Sequence, residues 1–425
     1  MDFKLSNYNI ILTRYNSEEK IIYNTFTGAY GTISNKELKQ ITEALENNTI
    51  LEQDFLDILI ENGFLIDKTF DELDLLRYQV NETRYNSKKL SITIAPFSGC
   101  NFRCAYCFEK DRLNNSIKMD EETQNCFLNY IESVISNFEI LSINWFGGEP
   151  SMALDVIENI SKKLITLCDE KNLTYESTII TNGYILNRQI AELYQKCKIK
   201  KIQITIDGNK ALHDARRVLI NGNGTYDRIM ENIIENIDYL PLIQLRINID
   251  KTNSSSYKDV IKTLKDNGIY EKLMITLGKI YVDDSNNYSH EMCLTCNEFS
   301  NILMDFREQK SVLVAPKVSL LTCASEGRYN FVLDADGCLY KCWNEIGDKN
   351  YSFGNIKEGV IMKGIALKYL THDITRDFEC LKCKFLPICM GGCCGLKKES
   401  KECCVEKYNI ERQMNYLLDV MDKAN

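Results

Sequence analysis

Eighteen cysteines, most of them gathered into three knots, constrain this 425-residue chain more than any other feature. Cys100, Cys104 and Cys107 form the first knot, and Cys323, Cys338 and Cys342 the second. Cys380, Cys383, Cys389, Cys393, Cys394, Cys403 and Cys404 form the third. Only Cys126, Cys168, Cys197, Cys293 and Cys296 fall outside them. The opening stretch, MDFKLSNYNI, has no basic segment followed by an apolar core, so the expectation is a soluble, cytoplasmic chain whose thiols stay reduced. In that setting clustered cysteines point to metal rather than to a disulfide framework.

Length and composition bound the rest. A chain of this size suggests roughly three domains, and Pro at 5 and Gly at 21 argue against long disordered linkers. Lys plus Arg at 51 against Asp plus Glu at 60 gives a net charge of −9. No long basic run is present to track phosphates, so no nucleic-acid partner is expected. No stretch reaches the roughly 18 apolar residues of a membrane span, so no membrane partner is expected either.

Residues 1–85 hold no knot cysteine and read as a small α/β module. Tyr8 to Tyr15, Lys20 to Phe26 and Ala29 to Ile33 are β-rich runs separated by turn residues. Ser34 and Glu37 have capping-box spacing ahead of Leu38, Ile41 and Leu45. A second helix over Gln53 to Asn62 should stop at Gly63, before Phe64, Leu65 and Ile66. A third should begin near Thr69 with Phe70, Leu73 and Leu76 on one face. From Leu90 the pattern becomes a regular alternation of short apolar strands and amphipathic helices. The strands start at Leu90, Ile140, Tyr175, Lys201, Ile243 and Leu273, which suggests a partial (β/α) barrel of six units over residues 88–309. The first cysteine knot, Gly147 to Pro150, Thr181 to Gly183, Asp207 with Gly208, and Asp250 to Asn253 all follow strands, on the face where such barrels place their chemistry. Residues 310–425 lose helical periodicity and gain cysteines, as expected of a loop-rich region held by metal, with a closing helix over Val405 to Met421.

Three thiolates within SGCNFRCAYCFE leave a fourth coordination position for something other than protein. Zinc with an exogenous ligand is one reading, although the chain has three His and none nearby. The spacing Cys100-x3-Cys104-x2-Cys107, with Tyr106 before the last cysteine, resembles the radical S-adenosylmethionine (SAM) enzymes. Their motif binds a 4Fe-4S cluster with one iron open to SAM. Gly147, Gly148, Glu149 and Pro150 match that family's GGEP segment, whose backbone and acidic side chain hold the methionine ammonium. Thr181, Asn182 and Gly183, then Asp207 and Gly208, resemble its TNG and SIDG segments, with ITIDG here. His213, Asp214 and Arg217 resemble the HDxxR continuation of its peptide-modifying branch. The resemblance implies that these polar groups reach the ribose and methionine carboxylate of SAM.

The later knots resemble the SPASM domain, which carries two auxiliary 4Fe-4S clusters. Cys323, thirteen residues, Gly337, four residues and Cys342 match its first half, and Cys380, Cys383, Cys389 and Cys393 its second. By that resemblance Cys323, Cys342 and Cys393 hold the nearer auxiliary cluster. Cys380, Cys383, Cys389 and either Cys403 or Cys404 hold the distal one, Cys403 being the first choice. Some members have an extra cysteine shortly after the first, where this chain has Ala324, Ser325 and Glu326. The nearer cluster is then left with an open iron unless Cys338 completes it. Cys293 and Cys296 form a CxxC that would suit a thiol relay, the alternative being buried small hydrophobes.

Three strands followed by three helices make residues 1–85 similar to the winged-helix recognition element of enzymes that modify ribosomally made peptides. That element binds a leader peptide as an added strand between its sheet edge and its third helix. Together the resemblances imply an oxidoreductase with three 4Fe-4S clusters and SAM, reduced by flavodoxin or ferredoxin. It would take hydrogen from a precursor peptide and close a Cys thioether, with a substrate thiolate at the open iron. Carbon-carbon or carbon-oxygen cross-linking, and sulfatase-type formylglycine formation, are the enzyme alternatives. A non-catalytic iron-sulfur protein that carries electrons or binds peptide is the alternative outside enzymes.

Overall fold

Six of the apolar runs form six parallel strands in the computed structural model: β1 (Lys89–Ile94), β2 (Ile140–Trp145), β3 (Thr174–Thr181), β4 (Ile199–Ile206), β5 (Leu242–Ile249) and β6 (Leu273–Lys279). The structure describes residues 2–47, 49–113, 116–281, 288–310, 314–321, 323–395 and 402–424. Each strand pairs with the next in chain order, which is the winding of a (β/α) barrel; a doubly wound sheet would reverse its order partway. The alternation explains which face is which. Leu90, Ile92 and Ile94, Leu141, Ile143 and Trp145, and Ile202, Ile204 and Ile206 are shut off from solvent. Their neighbours Thr93, Asn144, Thr178, Gln203, Arg246 and Asn248 point the other way and are only half-buried. That second face is polar.

The sheet does not close on itself. The far side of β1 takes a seventh parallel strand, β7 (Asn330–Leu333), followed antiparallel by β8 (Cys338–Tyr340) and β9 (Gly354–Asn355). The cysteine-rich part of the chain therefore begins inside the barrel sheet rather than beside it.

Residues 1–85 form a three-stranded antiparallel sheet (Asn9–Thr13, Lys20–Asn24, Tyr30–Ile33). Phe3–Leu5 pairs separately with Leu65–Asp67. Ser34 and Glu37 close a reciprocal cap on the helix Asn35–Asn47. The helix Gln53–Glu61 ends before Gly63, whose φ is +73. The third helix starts at Glu72 rather than near Thr69, because Asp67 ties Thr69 into a turn while Asp71 caps Leu73 and Asp74. Phe70 is thereby left exposed, and Leu76 and Val80 carry the buried face, packing on Tyr8, Leu386 and Met390. An ion pair shielded from solvent, Arg84 to Glu326 at 3.4 Å, joins the same helix to the cysteine-rich region.

The last helix, Glu406–Ala424, lays Ile410, Met414, Leu417 and Leu418 over Ile10, Ile21 and Tyr23 of the three-stranded sheet. Arg14 pairs with Asp419 at 2.6 Å and Asp422 at 3.0 Å at its end. Both ends of the chain thus share one core. Among the described residues no helix is long and apolar enough to cross a membrane.

Candidate active site

Beyond β1 the chain doubles back. Phe102–Cys104 pairs antiparallel with Arg217–Leu219, which sets Arg217 directly opposite Cys104. Cys100, Cys104 and Cys107 are all free thiols. The Cys100 sulfur accepts the Phe102 N–H at 3.3 Å, and Asn182 Nδ2 lies 3.8 Å from it. Burial raises all three thiol pKa values, that of Cys107 to about 12, while the Arg217 guanidinium works against burial at Cys104.

Gly147 and Gly148 bring the end of β2 against this loop. Gly147 has φ +105, and a Cβ on Gly148 would lie 2.2 Å from the Gly99 carbonyl oxygen. The close approach lets the Glu149 N–H donate to that carbonyl at 2.8 Å. Pro150 opens the following turn, whose first backbone N–H, from Ser151, donates to Glu149 at 2.9 Å. The Glu149 carboxylate has no solvent exposure; it also accepts from the Thr181 hydroxyl at 2.7 Å and the Asn182 N–H at 2.7 Å. Asn182 Nδ2 in turn donates to Asn101 at 2.8 Å. Glu149 therefore binds the ends of β2 and β3 together and turns inward.

A second buried network lies at the ends of β4 and β5. The Tyr106 hydroxyl donates to Asp207 at 2.8 Å and accepts from Arg217 at 3.0 Å and Asn248 Nδ2 at 3.2 Å. Burial pushes the Asp207 pKa up against the pull of Arg217 and Tyr106. Burial pulls Arg217 down, but Cys104, Tyr106 and Asp207 together hold it charged, above its ordinary value. Asp207 Oδ2 and Arg217 Nε are buried and make no hydrogen bond. His213 supports the network from behind, accepting the Asp207 N–H at Nδ1 (3.2 Å) and meeting Thr225 at Nε2 (3.0 Å). Asn248 was not singled out in the sequence; its one signal is a polar residue two positions after Arg246 on the half-buried face of β5.

The cysteines of the second and third knots meet in pairs across the sequence. The Cys394 sulfur meets the Ser325 hydroxyl at 3.2 Å, on the turn that Cys323 opens, and lies beside the Cys323 thiol. Cys342 is buried and feels both Cys323 and Cys393. Cys389 accepts from the Cys404 N–H at 3.3 Å and from its thiol, whereas Cys403 faces Lys407 Nζ at 3.4 Å. Lys407 also feels Cys383. Cys380 sits at the turn capped by Asp377. Cys338 stands apart, its sulfur 2.8 Å from Lys349 Nζ. Cys296 lies with Lys279 and Glu402, and Cys293 lies on the preceding turn, so the CxxC is not a closed pair. Among the described residues no three Cys, His, Asp or Glu side chains converge on a single metal ion. A cubane spreads its thiolates over separate irons and does not require such convergence.

Residues 94–241 match the family described as the Radical SAM superfamily. The chain is 25% identical over 341 residues to the cysteine-type anaerobic sulfatase-maturating enzyme of Clostridium novyi (strain NT), spanning 72% of this chain and 88% of that protein. It is 25% identical over 394 residues to the radical SAM cyclopropyl synthase TigE of Paramaledivibacter caminithermalis, spanning 83% and 78%. To the GTP 3',8-cyclase of Clostridium perfringens (strain 13 / Type A) it is 30% identical over 266 residues, spanning 58% and 73%. Among solved structures, anSMEcpe with bound AdoMet and Cp18Cys peptide has a TM-score of 0.62 at 20% identity, over 78% of this chain and 99% of that one. Streptococcus suis SuiB bound to precursor peptide SuiA has a TM-score of 0.54 at 15% identity, over 96% and 99%. At these identities the structural likeness is one of fold.

Proposed function

This chain is an enzyme of the radical SAM superfamily, and from that premise we propose that it matures a ribosomally made precursor peptide. It takes a hydrogen atom from a peptide carbon and joins that carbon to a cysteine sulfur as a thioether. The 4Fe-4S cluster and SAM that the family uses supply one electron and the 5′-deoxyadenosyl radical that abstracts the hydrogen. Cys100, Cys104 and Cys107 are the residues proposed to hold the cluster.

The donor set suits these groups: three free thiols on one loop, with the guanidinium of Arg217 opposite Cys104 to favour a thiolate. The observation that carries the reading lies beside them. Asp207 Oδ2 and Arg217 Nε are two of the buried side-chain atoms without a hydrogen bond among the described residues, and these two lie together beside Cys104, where polar groups of a ligand could pair with them. Tyr106 and Asn248 hold Asp207 and Arg217 in place. Glu149 holds Thr181 and Asn182 in place rather than offering its own carboxylate.

Around this barrel, residues 310–425 are assigned two auxiliary clusters: a nearer one at Cys323, Cys342 and Cys393, and a distal one at Cys380, Cys383, Cys389 and Cys404. The contact between Cys404 and Cys389 favours Cys404 over Cys403 as the last ligand. Residues 1–85 are assigned to the leader peptide, and the strand Tyr30–Ile33 is a free sheet edge to which it could add. A flavodoxin or ferredoxin is the proposed reductant.

Formylglycine formation on a sulfatase is the second reading, favoured by the long overlap with a sulfatase-maturating relative. The test is anaerobic reconstitution of the full chain with iron and sulfide, then addition of SAM, a strong reductant and a candidate precursor peptide. About twelve irons per chain, release of 5′-deoxyadenosine, and a peptide that has lost two hydrogens together with one alkylatable thiol are expected. Conversion of a sulfatase cysteine to an aldehyde, with no leader required, would select the second reading. Undiminished cross-linking by the triple Ala variant of Cys100, Cys104 and Cys107 would overturn both.

A further inference from the structure

We propose that Cys394 is the fourth thiolate of the nearer auxiliary cluster, joining Cys323, Cys342 and Cys393 and leaving that cluster with no open iron. The inference rests on the reading that this region holds such a cluster, and it changes what the cluster can do.

The resemblance implies three ligands for it, with Cys338 as a candidate fourth. The structure sends Cys338 elsewhere: it opens β8, where Lys349 Nζ lies 2.8 Å and Asn355 Nδ2 3.8 Å from its sulfur. Cys394 goes where a fourth ligand is needed. Its sulfur lies 3.2 Å from the hydroxyl of Ser325, on the turn that Cys323 opens, which sets it beside the Cys323 thiol. The chain geometry that permits this is local. Met390, Gly391 and Gly392 have φ of +45, +80 and +76 and turn the backbone sharply just before the two adjacent cysteines. The Gly395 N–H then donates to the Cys393 sulfur at 3.3 Å.

Lys341, which precedes Cys342, is 3% exposed and donates to the Gly327 carbonyl at 2.6 Å and to the Asn330 carbonyl. Ser325, 2% exposed and 3.2 Å from the Cys394 sulfur, would donate a hydrogen bond to that thiolate.

On ligation the Cys394 S–H bond breaks, its proton goes to solvent and a sulfur-iron bond forms. With four thiolates in place the cluster can accept an electron but cannot take a substrate sulfur without shedding a ligand. The substrate thiolate would then meet the carbon radical outside the cluster, and the electron left over from bond formation would pass to the cluster.

The test uses the full chain carrying the triple Ala change at Cys100, Cys104 and Cys107, so that only auxiliary clusters remain. Iron is counted after anaerobic reconstitution, and the electron paramagnetic resonance spectrum is recorded after mild ferricyanide oxidation, which turns a cluster with an open iron into a three-iron cluster. This parent should hold about eight irons and give no three-iron signal. Adding Cys394→Ala, or Cys394→Ser if the Ala variant does not fold, should produce a three-iron signal near one per chain or remove about four irons. Adding Cys338→Ala should do neither. A three-iron signal in the parent, or an unchanged Cys394 variant beside an altered Cys338 variant, overturns the assignment. A parent holding no more than about four irons overturns the two-cluster reading on which it rests.

Discussion

The Glu149 carboxylate, with no solvent exposure, accepts the Thr181 hydroxyl at 2.7 Å and so ties the end of β2 to the end of β3. Ser151 and Asn182 add their backbone N–H groups, so every donor around the carboxylate points at it. Burial pushes its pKa up and these three donors pull it down. Replacing Glu149 with Gln turns an amide N–H toward a donor and leaves at least one buried group unmatched, at a cost of about 1–3 kcal/mol. The expected outcome for Glu149→Gln is a lowered melting temperature and weaker SAM binding by equilibrium titration, with iron content at Cys100, Cys104 and Cys107 unchanged. A variant that binds SAM normally would show that the tie between β2 and β3 does not matter to the site.

Tyr106 stands between Asp207 and Arg217. Its hydroxyl takes hydrogen bonds from Arg217 and Asn248 and gives one to Asp207. Tyr106→Phe keeps the ring and strips all three, leaving Asp207 and Arg217 with more unpaired buried atoms than they already have. We expect about a tenfold or greater fall in 5′-deoxyadenosine release, the equivalent of roughly 1.4 kcal/mol. Asn248→Ala, which removes a single donor to the same hydroxyl, should lose less. Initial rates for the two variants under identical reduction decide the order.

The parallel strands, and the order in which the candidate site residues follow them, were legible because each depends on local pattern. Alternation marks β1 to β6 to within two residues, and the unusual residues follow the strands in the order the sheet uses them. What the pattern hid was long-range. Nothing near Cys394 says that its sulfur meets Ser325, some seventy positions away. The pairing of β7 with β1 and the cover that Ile410 and Met414 give Ile10 and Ile21 are likewise tertiary facts with no local signature. The late start of the third helix was legible in principle. Asp71 is the better cap, and Asp67 already engages Thr69. Glu149 was read from the sequence as facing a ligand, and the structure turns its carboxylate onto Thr181 and Asn182 of its own chain, an orientation set by neighbours that spacing does not reveal.

His213 makes acid sensitivity a property of the site's scaffold. Burial first, and the nearby Arg217 second, hold its pKa down at about 3, whereas in an unfolded chain it titrates near 6.5. Between those values the unfolded chain binds more protons than the folded one, so stability rises with pH across that window and levels off above it. Lowering the pH from about 7 to about 5 should cost about 2 kcal/mol through this residue alone. Gln at this position can keep a donor toward Thr225 and an acceptor toward the Asp207 N–H without titrating. His213→Gln should therefore show a smaller drop in melting temperature between the two pH values than the parent. Equal drops would remove His213 from the account.

The leader-peptide assignment can be tested at a single backbone N–H. Removing residues 1–85 would uncover the helix that carries Ile410, Met414 and Leu417, so a truncated chain would report exposed core as much as lost binding. The register offers a gentler route. The Asn24 N–H donates to the Ala29 carbonyl, which makes Ile22 with Gly31 the next hydrogen-bonded pair and turns the Thr32 N–H outward from the sheet. Thr32 is also exposed and sits on the edge strand Tyr30–Ile33. Proline is tolerated where an edge N–H faces solvent, so Thr32→Pro should change stability by less than about 1 kcal/mol while removing a donor that an added strand needs. Fluorescence anisotropy with a labelled leader peptide should then show at least a tenfold weaker Kd, with iron content and peptide-independent 5′-deoxyadenosine release preserved. Binding as tight as the parent's would move the leader away from this edge, since no strand can add across Thr32 once its N–H is gone without losing part of its ladder.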